Sequence, residues 1–377
     1  MTVPIPRPGI LDIAPYVGGE SAIPGLNRII KLASNESALG PSPRALEAFR
    51  DAAATLHRYP DGHCQALRRA LGETFALDPA RIVCGAGSDE LLGLLARAYA
   101  GPGDETLYTR HGFLIYPIAT LAAGATPIAI AERELTADVD ALLAAVTPAT
   151  RIVFLANPNN PTGTYLPRDE MRRLREGLPT GVLLVIDAAY AEFVDADDYD
   201  TGIDLVDEGG GVVVTRTFSK IYGLGGARLG WAYCPPAVAD VLNRLRMPFN
   251  VSSPAQAAGI EALADQAFIE RARAHNRTWR AWTADAIRRL GLTVPVSHCN
   301  FVLVRFQADA GLDGDRGDDR GDGRDATAAD TYLKSRGIIA RRVASYGLPD
   351  CLRITIGLES EMRACVAALA NFMGPRP

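Results

Sequence analysis

Long apolar runs are missing from this 377-residue chain, and so is any excess of basic charge. No stretch approaches the roughly 18 apolar residues of a membrane-crossing helix, so no membrane partner is expected. Lys and Arg total 39 against 44 Asp and Glu, a net charge of −5. That balance offers no face to nucleic acid or to an anionic membrane surface. Cysteine is sparse and scattered: Cys64, Cys84, Cys234, Cys299, Cys351 and Cys365 form no C-x-x-C pair and no metal-ligand spacing. Reduced, mostly buried thiols in a cytoplasmic protein without a metal are expected. The first 17 residues are broken by prolines and lack the apolar core of an export signal.

What is present is ample core material, 48% of the residues being hydrophobic, on a chain long enough for two domains. Residues 1–35 read as a proline-rich arm without sustained period. Ser42-Pro43 then reads as an N-cap followed by proline at the first helical position, opening a helix towards Leu56. His57–Gly62 is a turn, and Leu67, Leu71 and Phe75 share one face of a second helix. From Arg81 onward, short apolar strands alternate with helices. The strands are expected at Arg81–Cys84, Glu105–Tyr108, Pro127–Ala131, Arg151–Ala156, Val182–Asp187, Val212–Phe218 and Trp231–Cys234. This grammar predicts an α/β fold with a mostly parallel sheet covered by helices on both faces, over residues 36–250. Residues 251–377 read as a smaller α+β domain: a helical stretch from Ala255 to Leu290, strands at Asn300–Phe306 and Cys351–Gly357, and a last helix at Glu359–Phe372. Its segment 309–330, rich in Gly, Asp and Arg, is expected to be a mobile surface insertion.

The most informative stretch is TRTFSKIYGLGGARLG, residues 215–230. It follows an apolar strand and brings Thr217, Ser219, Lys220 and Arg228 together. Hydroxyls and a guanidinium suit phosphate oxygens, and a lysine in a dry pocket is able to attach covalently to an aldehyde. Pyridoxal phosphate is the cofactor that needs both. Taken alone, a surface turn with a solvated lysine would explain these residues as well.

Four further features fall just after strands, where ligands of parallel sheets collect. The turn at 85–90, GAGSDE, opens a helix, so the amides of Ser88, Asp89 and Glu90 are free for a phosphate; it lacks the G-x-G-x-x-G of a dinucleotide site. The rigid turn NPNNPTG offers Asn160, and the apolar strand before Asp187 delivers a carboxylate suited to a protonated ring nitrogen, with Tyr190 three residues on. Structural roles, an Asx turn for Asn157 and Asn159 and a helix cap for Asp187, compete here. Arg353 alternates with Leu352 and Ile354 and therefore faces away from their side.

In combination, Asn160, Asp187, Tyr190, Lys220, Arg228 and Arg353 resemble the fold-type I, class-II-like aminotransferases that depend on pyridoxal 5'-phosphate. More narrowly, the chain is similar to the histidinol-phosphate aminotransferase family. The stretches KLASNESALGPSP (31–43), HRYPDG (57–62), NPNNPTG, TFSK and GIIARRVASYGLPDCLRITIG (337–357) carry that resemblance. It implies Lys220 as covalent anchor and proton carrier, Asp187 at the pyridine nitrogen, and Asn160 with Tyr190 at the phenolate oxygen. The phosphate would lie among Ser88, Asp89, Glu90, Thr217, Ser219, Arg228 and Tyr59 of the partner subunit in a homodimer. Phe113 is the implied ring-stacking residue, with Tyr116 as its competitor. Arg341 and Arg353 would meet the anionic group of the substrate, near Tyr16 and Asn35. Arg342 stands where the family often has proline, which leaves Arg341 and Arg342 as rivals for the inward position.

The implied reaction moves an amino group between L-histidinol phosphate and 2-oxoglutarate, in histidine biosynthesis. An aromatic amino-acid aminotransferase and a lyase such as a threonine-phosphate decarboxylase would share the cofactor constellation. A non-enzymatic, aminotransferase-like regulator would need an appended DNA-binding domain, and neither a helix-turn-helix nor a basic patch stands in the sequence.

Overall fold

The computed structural model describes residues 4–26, 28–306 and 323–374. Seven strands form its main sheet, in the order Ile82–Gly85, Gly230–Tyr233, Val212–Thr217, Leu183–Asp187, Thr150–Ala156, Glu105–Thr109 and Thr126–Ile130. Only Gly230–Tyr233 runs antiparallel to its neighbours. All five residues of Leu183–Asp187 are buried, as expected of a strand sandwiched between helical layers. Their register sets Ala156 beside Asp187, and Asp187 beside Thr215, at the carboxyl edge.

Local chemistry explains the helix starts. Ser42 Oγ accepts from the Ala45 amide at 3.2 Å, with Pro43 in the first turn, and the helix runs over Pro43–Ala53. The expected long helix from Ala255 to Leu290 is two helices, Ser253–Ala264 and Gln266–Arg289. Asp265 divides them, because its carboxylate caps the second one through the Phe268 amide. An internal Asp that caps breaks a pattern which apolar periodicity alone would run through.

Three expectations need correction. The arm is not unstructured up to residue 35: Ile30–Lys31 pairs in parallel with Ile338–Ile339, and Leu32 is buried in the smaller core. A two-residue strand is too short to show a period. The segment 309–330 ends in ordered helix. Asp325 caps Ala326–Ser335, and Ala326 and Ala329 are buried. Small alanines form a packing face that a search for large apolar residues overlooks; the part up to residue 322 lies outside the described residues. Nor do the cores part at residue 250. Val251, Ala255, Ala258 and Phe268 belong to the core under the main sheet.

The smaller core is built on a three-stranded antiparallel sheet of Phe301–Arg305, Leu348–Thr355 and Arg341–Val343. It is covered by Ala326–Ser335, Glu359–Met373 and the end of Gln266–Arg289. No described helix is long and apolar enough to cross a membrane. All six cysteines are buried.

Candidate active site

A cavity of about 280 Å³ opens at the carboxyl edge of the main sheet. Lys220, Asp187, Tyr190, Asn160, Ser88, Asp89, Phe113, Thr217, Ser219 and Arg228 line it from the sheet side, and Tyr16, Asn35, Arg341 and Arg353 from the other. No described cluster of His, Cys, Asp and Glu is suited to a metal ion.

Lys220 follows the Val212–Thr217 strand by three residues, so the strand delivers it to the edge. Burial, followed by the nearby Arg353 guanidinium, lowers its amine to about 8. The chain has only two other lysines, Lys31 and Lys334, and both are engaged in ion pairs with carboxylates. Nζ of Lys220 stands 5.6 Å from the ring centre of Tyr190. The Tyr190 hydroxyl in turn accepts from Asn35 Nδ2 at 2.8 Å, and burial raises its proton affinity.

Asp187 is buried with no cation hydrogen-bonded to it among the described residues. Desolvation raises its carboxyl to about 6, against the pull of donors from Tyr116 and Thr215. Tyr116 Oη donates to Oδ2 at 3.0 Å, and Thr215 Oγ1 lies 3.4 Å from Oδ1. Tyr116 therefore stands behind the carboxylate rather than in the cavity, and the cavity position belongs to Phe113. Thr215 escaped notice in the sequence. The signal was its place in the strand that pairs with Asp187, which needs the register to be known.

At the opposite end, the Ser88–Tyr99 helix begins at the cavity, which its first two residues line. Gly87 has φ of +84°, and a Cβ there would stand 2.5 Å from Arg228 Nη2. A Cβ on Gly230 would stand 2.4 Å from the Ser88 amide nitrogen. These two glycines let the strand end, the helix start and Arg228 close together. Arg228 pairs with Asp89 at 3.2 Å while both remain half exposed. Thr217 Oγ1 donates to Ser219 Oγ at 2.9 Å. Glu90 does not reach the cavity: its carboxylate accepts from the Ala86 amide and from Asn250 Nδ2, closing the turn from behind. Tyr59 lies outside it too, exposed and stacked on Phe249.

Arg341 and Arg353 sit directly opposite each other on adjacent antiparallel strands. Both side chains reach the cavity, whereas Arg342 turns to Thr327 and the Pro349 carbonyl. The pleat thus resolves the rivalry in favour of Arg341. Arg353 is buried, donates to Asn160 Oδ1 and to the Ala33 carbonyl, and keeps Nε without a partner. Arg341 donates to the carbonyls of Val17 and Gly18 at 2.7 Å each.

A fold of this kind, with a half-buried lysine and a buried aspartate lining one cavity, is that of the pyridoxal-phosphate aminotransferases of fold type I. Residues 27–369 match the model of the family described as aminotransferase class I and II. The chain is 62% identical to a histidinol-phosphate aminotransferase of Paramagnetospirillum magneticum, over 99% of its length and 100% of the relative's. It is 61% identical to the enzyme of that name from Rhodospirillum centenum, over 99% of both chains. The crystal structure of histidinol-phosphate aminotransferase from Sinorhizobium meliloti, in complex with pyridoxal 5'-phosphate, superposes with a TM-score of 0.86 at 30% identity, covering 97% of this chain and 96% of that one. The chain therefore belongs to the class I and II aminotransferases and, within them, to the histidinol-phosphate aminotransferase family.

Proposed function

We propose that the chain is a pyridoxal-phosphate-dependent aminotransferase that moves the amino group of L-histidinol phosphate to 2-oxoglutarate, a step of histidine biosynthesis. The observation that carries the substrate half of this reading is the pair Arg341 and Arg353, opposed on adjacent strands and turned into one cavity. Two guanidinium forks suit a dianion better than a single carboxylate, because a phosphate offers more acceptor oxygens and about twice the charge.

The residues present fit the cofactor. A buried carboxylate at Asp187 suits a ring N–H⁺, and Phe113 supplies an apolar face for the ring. The glycine-made cradle of Ser88, Asp89, Ser219 and Arg228 suits a phosphate. Asn160 and Tyr190 would flank the ring oxygen. Pyridoxal phosphate, when bound, supplies an electron sink for charge developing at the substrate carbon.

Lys220 would anchor the cofactor and, once displaced by the substrate amine, would carry a proton from the carbon bearing that amine. Its amine, lowered to about 8, is neutral in a useful share at physiological pH. Asn35 would hold the Tyr190 hydroxyl in place, and Arg353 would orient the substrate from the far wall of the cavity.

As part of the same reading, the enzyme works as a cytoplasmic homodimer in which Tyr59 of the partner subunit completes the phosphate site.

Side-by-side assays with histidinol phosphate, phenylalanine and tyrosine as donors, and 2-oxoglutarate as acceptor, test the proposal. Histidinol phosphate is expected to have the highest kcat/KM. A better rate with phenylalanine would transfer the reading to an aromatic aminotransferase. Carbon dioxide release without a keto-acid acceptor would point to a lyase.

A further inference from the structure

Tyr116 belongs to the first turn of the Ile115–Ala123 helix, and its ring is fully buried. It stacks on Phe154 with ring centres 5.1 Å apart and planes 4° from parallel. The turn that holds it is tied down: Thr120 Oγ1 donates to the Tyr116 carbonyl at 2.8 Å and meets Thr106 Oγ1 of the neighbouring strand at 2.7 Å. Nothing in this packing requires a hydroxyl. Among the described residues, the hydrogen-bond partner of the phenol is Asp187 Oδ2, 3.0 Å away.

We propose that Tyr116 is a positioning residue: its hydroxyl fixes the Asp187 carboxylate from behind and keeps it an acceptor for the group that enters the cavity. The assignment rests on the cofactor reading of Asp187 given above. A carboxylate at a strand end turns freely about its last bond unless one oxygen is held. With Oδ2 held by Tyr116, and Oδ1 met by the Thr215 hydroxyl only at 3.4 Å, the carboxylate keeps acceptor capacity for the cavity.

The same bond favours the ionised form. Around Asp187 stand Thr215 on the adjacent strand, Asp89 at the start of the Ser88–Tyr99 helix, Lys220 on the loop after Val212–Thr217, and Tyr190. Burial dominates among them and Asp89 adds to it, so the carboxylate depends on its donors, the Tyr116 hydroxyl first, then the Thr215 hydroxyl and the Ala189 amide, to stay charged.

Tyr116→Phe keeps the ring and removes only the donor. In cofactor-free protein, the Asp187 carboxyl band, assigned in difference infrared spectra by its loss in Asp187→Asn, should titrate about one pH unit higher. The dissociation constant for pyridoxal phosphate at neutral pH should rise about tenfold. In an Asp187→Asn background, Tyr116→Phe should add no further loss of affinity. An unchanged titration, or equal losses in both backgrounds, would overturn the proposal and leave Tyr116 a packing residue. Should the unmodified protein not take up pyridoxal phosphate, the cofactor reading fails, while the titration still decides whether Tyr116 governs Asp187. Thermal unfolding of each variant separates these outcomes from misfolding.

Discussion

Burial lifts the Asp187 carboxyl from its ordinary 3.8 to about 6, so between those values the folded chain holds a proton that the unfolded chain has released. Its contribution to stability is fully present below the lower value and is lost as pH rises through the upper one. At pH 7 the buried carboxylate costs on the order of 3 kcal/mol in cofactor-free protein. Cofactor-free Asp187→Asn should therefore be more stable than the parent at pH 7, by up to about that amount, with most of the advantage lost near pH 4. Denaturant unfolding at the two pH values measures this; an advantage of equal size at both would remove burial of charge as its cause. With pyridoxal phosphate added, the order should invert, because the ring nitrogen supplies the missing partner. At Lys220 the test is covalent. Borohydride reduction and peptide mapping should place the label on Lys220 alone, with Lys220→Ala losing it. The chain's other lysines, Lys31 and Lys334, are paired with Glu36 and with Glu20 and Asp330. Label on either would refute the assignment.

The strands that deliver these residues were legible because each is a short, nearly unbroken apolar run, and the residue after it falls at the ligand-binding edge whatever the exact register. Asn160, Asp187 and Lys220 were found that way. Register itself was not legible. Thr215 and Tyr116 serve Asp187 across strand and helix packing, and alternation in the sequence gives the parity of Arg341 against Arg342 without saying which parity faces inward. The Ile30–Lys31 strand and the Ala326–Ser335 helix were hidden by brevity and by small side chains. Register now makes a prediction for the strand pair. Arg341 and Arg353 oppose each other, and Arg341 spends its fork on the Val17 and Gly18 carbonyls of the arm. A phosphate at this place would exchange those neutral acceptors for charged ones, each charge-assisted bond being worth roughly 1.5–3 kcal/mol. Arg341→Ala should lower kcat/KM for histidinol phosphate about tenfold to a hundredfold and that for phenylalanine much less. Arg353→Ala should impair both half-reactions if, as the proposed reaction requires, 2-oxoglutarate enters the same pocket. Equal losses for both donors with Arg341→Ala would mean that it does not read the phosphate.

For the molecule as a whole, the informative residue is Tyr59, which like Glu90 is a predicted site member outside the chain's own cavity but, unlike Glu90, is exposed. Tyr59 is 83% exposed, and its ring stacks on Phe249 with centres 4.7 Å apart. Leu56 and Met247 are 66% and 69% exposed. The turn is firmly held rather than loose. Asp61 accepts from the amides of His63 and Gln65, and its carbonyl accepts from Gln256 Nε2. An apolar set displayed on a fixed turn fits an interface, and a two-fold dimer would repeat the contact on both subunits. If Tyr59 reaches the phosphate cradle of the partner, each site needs Lys220 from one chain and Tyr59 from the other. Tyr59→Ala and Lys220→Ala homodimers should then both be impaired. Mixed in equal amounts and allowed to exchange subunits, they form heterodimers in half of the molecules, each with one intact site and one doubly deficient site. About a quarter of the parental activity should return. Native mass spectrometry verifies the exchange, and the activity of the mixture is then compared with the mean of the two homodimers. Activity that stays at that mean after verified exchange would place each site within a single chain and leave Tyr59 to the interface alone.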